Sequence, residues 1–148
     1  MLMSDKQKSL AKYTVLRYFP YPNRDECVSV GLLVFLPDGL IKVHIAGESD
    51  LQKVKAINPK ADLQEILDLE LGIPNFLQMM IERRAVKHHP KDVAKMLSQY
   101  ITVRPHENLC NFVYKDDNDY FSVVNRIMES LVLPAHTEKP TLKTMEAE

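Results

Sequence analysis

The segment from Glu26 to Leu36 limits the fold more than any other part of the chain. In an extended backbone, Val28, Val30, Leu32, Val34 and Leu36 fall on one face, and Cys27, Ser29, Gly31, Leu33 and Phe35 on the other. Both faces are apolar in the second half, so this strand must be central and covered on both sides. Gly31 has no β-carbon within that run, which predicts a place where a helix crosses closely. The flanking segments supply strand partners. Tyr13 to Phe19 alternates, with Tyr13, Val15, Arg17 and Phe19 on one side and Thr14, Leu16 and Tyr18 on the other. The prolines of Pro20-Tyr21-Pro22 end this strand and predict a stiff exposed loop through Asp25. Pro37-Asp38-Gly39 is a turn signal. Leu40 to Ala46 follows as a third strand, with Ile41, Val43 and Ile45 inward and Lys42 and His44 outward. The three strands form an antiparallel meander.

The period then changes from 2 to 3.6. A short helix carries Leu51, Val54 and Ile57, and Asn58-Pro59 stops it. Asp62 caps a second with Leu63, Ile66, Leu67 and Leu69, which Gly72 ends. Pro74 then opens a third, whose stripe is Ile73, Phe76, Leu77, Met80 and Ile81. A fourth starts near Pro90, with Val93, Met96, Leu97 and Tyr100 on one face. Ile101 to Arg104 and Asn111 to Tyr114 are short β-type runs, a strand or a hairpin that extends the sheet. Tyr120 to Val132 reads as an amphipathic helix with Tyr120, Phe121, Val124, Ile127, Met128, Leu131 and Val132 in one stripe. The fold class is therefore α+β: a small antiparallel sheet, several helices covering one face, and a C-terminal helix closing the core. Residues 12–133 form one domain; 1–11 and 134–148 read as flexible tails.

The chain's 148 residues suit a single domain. Its 19 Lys+Arg against 20 Asp+Glu leave no basic excess for non-specific nucleic-acid binding, so a nucleic-acid partner is not expected. That reading would rest only on Lys6, Lys8 and Lys12 and on Arg83-Arg84-Lys87, cations that a helix C-terminus already favours. Cys27 and Cys110 cannot build a disulfide framework, and no apolar run approaches the ~20 residues of a membrane span. These features predict a cytoplasmic protein without a membrane partner. The five histidines, His44, His88, His89, His106 and His136, include no i, i+4 pair, and no CxxC is present, so no metal site and no cofactor are expected. Asp116 to Asp119 lacks the glycine and distant glutamate of a calcium loop and reads as an acidic turn before a helix.

The first hairpin carries the candidate site. Arg24 and Glu26 are two residues apart and share a strand face. An antiparallel return places Arg17 near them. Either the ion pairs pin the loop, or two guanidiniums bind a carboxylate or phosphate with Glu26 orienting them. No nucleophile stands beside the cluster except Ser29 or Cys27, which face away from Glu26 in a regular strand, so no catalytic residue is assigned.

Tyr13-Thr14-Val15-Leu16-Arg17-Tyr18-Phe19-Pro20, followed by Asn23 to Phe35, resembles a bacterial family of unknown function, domain of unknown function 3037. Its pattern is roughly Y-x-V-x-R-Y-x-P-x-x-x-R-G-E-x-V-N-V-G-V-V-L. The chain departs from it at Asp25 and Ser29, where the family carries Gly and Asn. The resemblance implies no established activity. It implies a partner role beside a HipA-like kinase, in a toxin–antitoxin, stress-response or defence setting. Two function classes follow. The first is a small interaction or regulatory protein, binding another protein or a second copy of itself. The alternative is an enzyme acting on an anionic substrate through Arg17, Arg24 and Glu26, with His44 assisting.

Overall fold

The computed structural model describes residues 8–21, 24–83, 89–98 and 102–133. Strands β1 (Ser9–Tyr18), β2 (Val28–Phe35) and β3 (Ile41–Ile45) form the meander. Helices α1 (Glu48–Leu51), α2 (Val54–Ile57), α3 (Leu63–Leu67), α4 (Leu69–Glu82) and α5 (Pro90–Leu97) follow. The chain then returns to the sheet through β4 (Val103–Pro105) and β5 (Cys110–Tyr114), and closes with α6 (Asp117–Ile127) running into a π-helical turn, Met128–Val132. The architecture is α+β, with a five-stranded antiparallel sheet.

The sheet order is β3-β2-β1-β4, and β5 also pairs with β1. The two late strands do not form a hairpin with each other. They lie end to end along the same edge of β1, β4 against Leu16 to Tyr18 and β5 against Ser9 to Tyr13. This pairing draws Ser9, Leu10 and Ala11 into a strand, although their polar neighbours predict a loose arm. Ala11 is buried opposite Phe112. Residues 1–7 and 134–148, the remainder of the expected tails, lie outside the described residues, as do Tyr100, Arg84, Lys87, His88 and His136.

All residues from Val30 to Phe35 are buried, as a doubly covered central strand requires. On one face, the rings of Tyr13, Phe112 and Tyr114 lie under α6, and Tyr120 bonds to His44. Lys42 is exposed, as its polarity predicts, and stands over the Tyr120 ring, whereas His44 is half-buried against the helix. On the other face Tyr18 lines a cleft with Ile66 and Leu69, and its hydroxyl accepts from Asn58 Nδ2 at 2.9 Å. The Glu70 carboxylate accepts from the Ile45 amide at 2.9 Å, which satisfies a donor on edge strand β3.

Three local expectations are corrected. First, Gly31 is approached by a strand rather than a helix. A β-carbon there would lie 2.3 Å from the His44 carbonyl oxygen on β3 and 2.9 Å from Ile45 Cδ1. Second, Gly72 does not end a helix and Pro74 does not begin one, because α4 runs through both. Pro74 removes one bond, to the Glu70 carbonyl, at a cost of about 3 kcal/mol. Burial of Ile73 and Leu77 on either side contributes about 3–6 kcal/mol together, enough to carry the helix across. Third, the last helix buries Tyr120, Val124, Met128 and Val132, four residues apart, and leaves Phe121 50% and Leu131 43% exposed. In an α-helix each fourth residue drifts about 40° around the axis. The π turn, closed by the Leu133 amide on the Met128 carbonyl at 2.9 Å, cancels part of that drift and keeps Met128 and Val132 on the core. The acidic turn caps this helix. Asp116 Oδ1 accepts from the Asp119 amide, and Asp119 Oδ2 from the Lys115 amide, both at 2.8 Å.

Replacing Gly31 by Ala should therefore force β3 away from β2 and lower stability by about 1–3 kcal/mol. The expected reading is a lower urea midpoint with an unchanged slope. A variant as stable as the wild type would mean that the two backbones separate freely.

Candidate functional site

Alternation along β1 puts Arg17 on the face of Tyr13 and Val15, and β4 places Arg104 directly opposite it. Their neighbours, Leu16 against Pro105 and Tyr18 against Val103, point to the other face, where Leu16, Pro105 and Val103 are buried. The register is therefore held by apolar pairs, and two cations meet as a consequence. On the β2 side, a bulge at Val30 moves the pairing so that Arg17 faces Ser29.

The two guanidiniums share one ring: Arg104 Cζ lies 4.7 Å and Arg17 Cζ 5.3 Å from the centroid of Phe19. Neither meets a carboxylate among the described residues, and the Nε of each is buried with no hydrogen-bond partner. Like charges opposed across strands are destabilising. A buried donor left unpaired costs about 1–3 kcal/mol, and each cation–π contact returns about 0.5–1 kcal/mol. Stability alone does not account for this pair.

Arg17 also lines an open cleft of ≈ 810 Å³ with Lys91, Ala94, Lys95 and Ser98 of α5 and with Pro105, His106, Glu107 and Asn108. Lys91 and Lys95 lie one helical turn apart. His89 caps α5 through Nδ1, which accepts from the Lys91 amide at 3.3 Å, and Val93, Ala94 and Leu97 anchor the buried side. The far wall is the connection that separates β4 from β5. There the His106 amide donates to the Val15 carbonyl at 2.8 Å, and Thr14 Oγ1 donates to the His106 carbonyl at 2.7 Å. Thr14, 1% exposed, is the buried polar residue of the described structure, and its hydroxyl serves this wall. The cleft thus presents three cations and one carboxylate, an arrangement suited to an anion.

Of the three residues assigned from the sequence, only Arg17 reaches this cleft. Arg24 stays within its own loop, its Cζ 4.9 Å from the Tyr21 ring and its amide bonded to the Tyr21 carbonyl at 3.1 Å. Glu26 is exposed ahead of β2, and no ion pair joins it to Arg17 or Arg24. The expected convergence fails for a geometric reason: β2 starts at Val28, opposite Tyr18, so Glu26 lies beyond the paired region. Arg104, Lys91, Lys95 and His106 were not assigned to a site. The i, i+4 spacing of the two lysines was visible, but the pairing of Arg17 with Arg104 depends on a register between distant segments.

His44 belongs to a different cluster. Its Nε2 lies 2.7 Å from Tyr120 Oη, and the ring packs against Tyr120 and Phe121. Lys42 Nζ stands 5.2 Å from the Tyr120 ring centroid. Burial lowers the His44 pKa; Glu70 opposes that effect and Lys42 adds to it. Burial, aided by Tyr114, raises that of the Tyr120 hydroxyl, so a protonated phenol and a neutral imidazole share this hydrogen bond. This bond latches α6 to β3.

A family model described as a protein of unknown function (DUF3037) matches residues 13–112, a span that holds the whole cleft. No curated protein and no solved structure matches the chain. No helix among the described residues is long and apolar enough to cross a membrane.

The latch carries a pH dependence. His44 is held below its ordinary value of 6.5 in the folded state, so the unfolded chain binds a proton more readily. The stabilisation is complete above about pH 6.5 and declines as pH falls below it. Chemical denaturation between pH 7.5 and 5 should show that decline, and His44→Gln should flatten it. An equal slope in both proteins would assign the proton to another group.

Proposed function

The chain belongs to the DUF3037 family, and from that premise we propose that it is a small recognition module whose cleft binds an anionic group carried by a partner. The observation that carries this reading is the Arg17–Arg104 pair, two opposed cations with buried, unsatisfied Nε donors and, among the described residues, no carboxylate to neutralise them. A phosphate or carboxylate at the cleft would supply counter-charge to this pair and meet Arg17 directly, through hydrogen bonds about twice as strong as neutral ones. Lys91 and Lys95 extend the positive wall toward the incoming group. An anionic surface on a HipA-like kinase, or on another protein of a toxin–antitoxin or defence system, fits this chemistry. Arg24 and Tyr21, stacked and exposed on the neighbouring loop, offer further contact surface for the same partner.

Two results should coincide. Inorganic phosphate, added against sodium chloride at matched ionic strength, should raise the melting temperature, by an amount equivalent to about 2.7 kcal/mol at a hundredfold excess over Kd. Arg17→Met should abolish that rise, and Arg104→Met, which removes charge behind the cleft rather than from its lining, should reduce it. Neither should lower the melting temperature of the free protein, because methionine keeps the apolar stem and removes a repelling charge. A ligand-induced shift that persists in Arg17→Met would refute the site. A marked loss of stability in both variants would show instead that the arginines serve the fold through Phe19.

A further inference from the structure

Resting on the anion-binding reading above, we propose that the ligand of the cleft is a phosphate monoester and that His106 donates its Nε2–H to a terminal phosphate oxygen. The orientation of His106 is set by three hydrogen bonds. Its amide is held by the Val15 carbonyl at 2.8 Å and its carbonyl by the Thr14 hydroxyl at 2.7 Å. Its ring is held by the Asn108 amide, which donates to Nδ1 at 3.0 Å. An Nδ1 that accepts carries a lone pair, so the proton of the neutral ring sits on Nε2. His106 is thereby a fixed donor on the wall of a cationic cleft, with a buried hydroxyl committed to its placement.

The donor arrangement selects the ligand class. Arg17 comes from β1, Lys91 and Lys95 from α5, and His106 from the connection after β4, so donors approach from three separate elements. A carboxylate has two oxygens in one plane, and a single guanidinium fork satisfies both. A phosphate monoester has three terminal oxygens in a tetrahedral arrangement and carries about −1.5 to −2 at pH 7. Three cations against the single carboxylate Glu107 match that charge. A volume of ≈ 810 Å³ lies within the range of organic-ligand sites, about 300–1,000 Å³, and leaves room for the esterified group. That group is either a phosphorylated side chain of a protein or the body of a small phosphate ester.

The test is isothermal titration of the full chain at constant ionic strength with glycerol phosphate, a phosphoserine peptide and succinate. Both esters should bind at least about tenfold more tightly than succinate, the contribution of one additional charge-assisted bond. The tighter of the two identifies the source of the phosphate. His106→Asn keeps an acceptor for the Asn108 amide but has no group at the Nε2 position. It should retain the melting temperature and the dependence on Arg17 while reducing the preference for esters to about twofold or less. Equal binding of succinate and the esters by the wild type, or an undiminished preference in His106→Asn, overturns the inference and leaves the anion site standing. Ester binding that Arg17→Met does not weaken overturns the site itself.

Discussion

Strand β1 is bonded along both of its edges, and the rest of the structure depends on it. Residues Lys12 to Tyr18 pair with β2 on one side, while Ser9 to Tyr13 and Leu16 to Tyr18 pair with β5 and β4 on the other. Between β4 and β5 the chain leaves the edge, and Thr14 and Val15 bridge the gap through His106. A central strand can leave no backbone group unpaired where water is excluded. The His106 amide meets that demand at the Val15 carbonyl, and the Thr14 hydroxyl in turn satisfies the His106 carbonyl, where valine would pack equally well but could not donate. The same bonds that close the sheet also position one wall of the cleft.

The apolar side of this arrangement places charge on the other. Leu16, Val103 and Pro105 set the β1–β4 register by packing on one face, and strict alternation then brings Arg17 and Arg104 together on the opposite face. Both guanidiniums lie against the ring of Phe19, which recovers part of their cost. Two cations that meet no carboxylate among the described residues, one of them sharing a cleft with Lys91 and Lys95, form a region of positive potential in a chain whose net charge is −1. The field is local, which is why overall composition gave no indication of it.

At the aromatic end of the sheet, α6 is latched by one polar contact within an apolar surface. Tyr120 packs against Phe112 and Tyr114 and bonds to His44. The π turn then carries the helix to Val132, whose carbonyl accepts from Lys53 Nζ. Alternation showed Lys42 and His44 as the polar side of β3, and polarity suggested solvent. Yet the half-buried histidine lies under α6, because an edge strand can share its polar face with a helix that supplies a hydroxyl.

Local patterns in the sequence determined the meander, the central place of β2, the capping of α3 by Asp62 and of α6 by its acidic turn, and the general course of the helices. Each of these rests on periodicity or on a cap within a few residues. Arg17 was also legible, as a cation on an otherwise apolar strand. The tertiary structure alone decided what Arg17 would face. Its partners, Arg104 and the lysines of α5, lie more than seventy positions along the chain, and a one-residue change of register would have turned Arg104 to the other face. It also decided that β4 and β5 lie end to end on β1, drawing Ser9 to Ala11 into the sheet, and that Gly31 meets a strand. Long-range pairing is chosen by the total burial of the assembled sheet, and no short window of residues contains that sum.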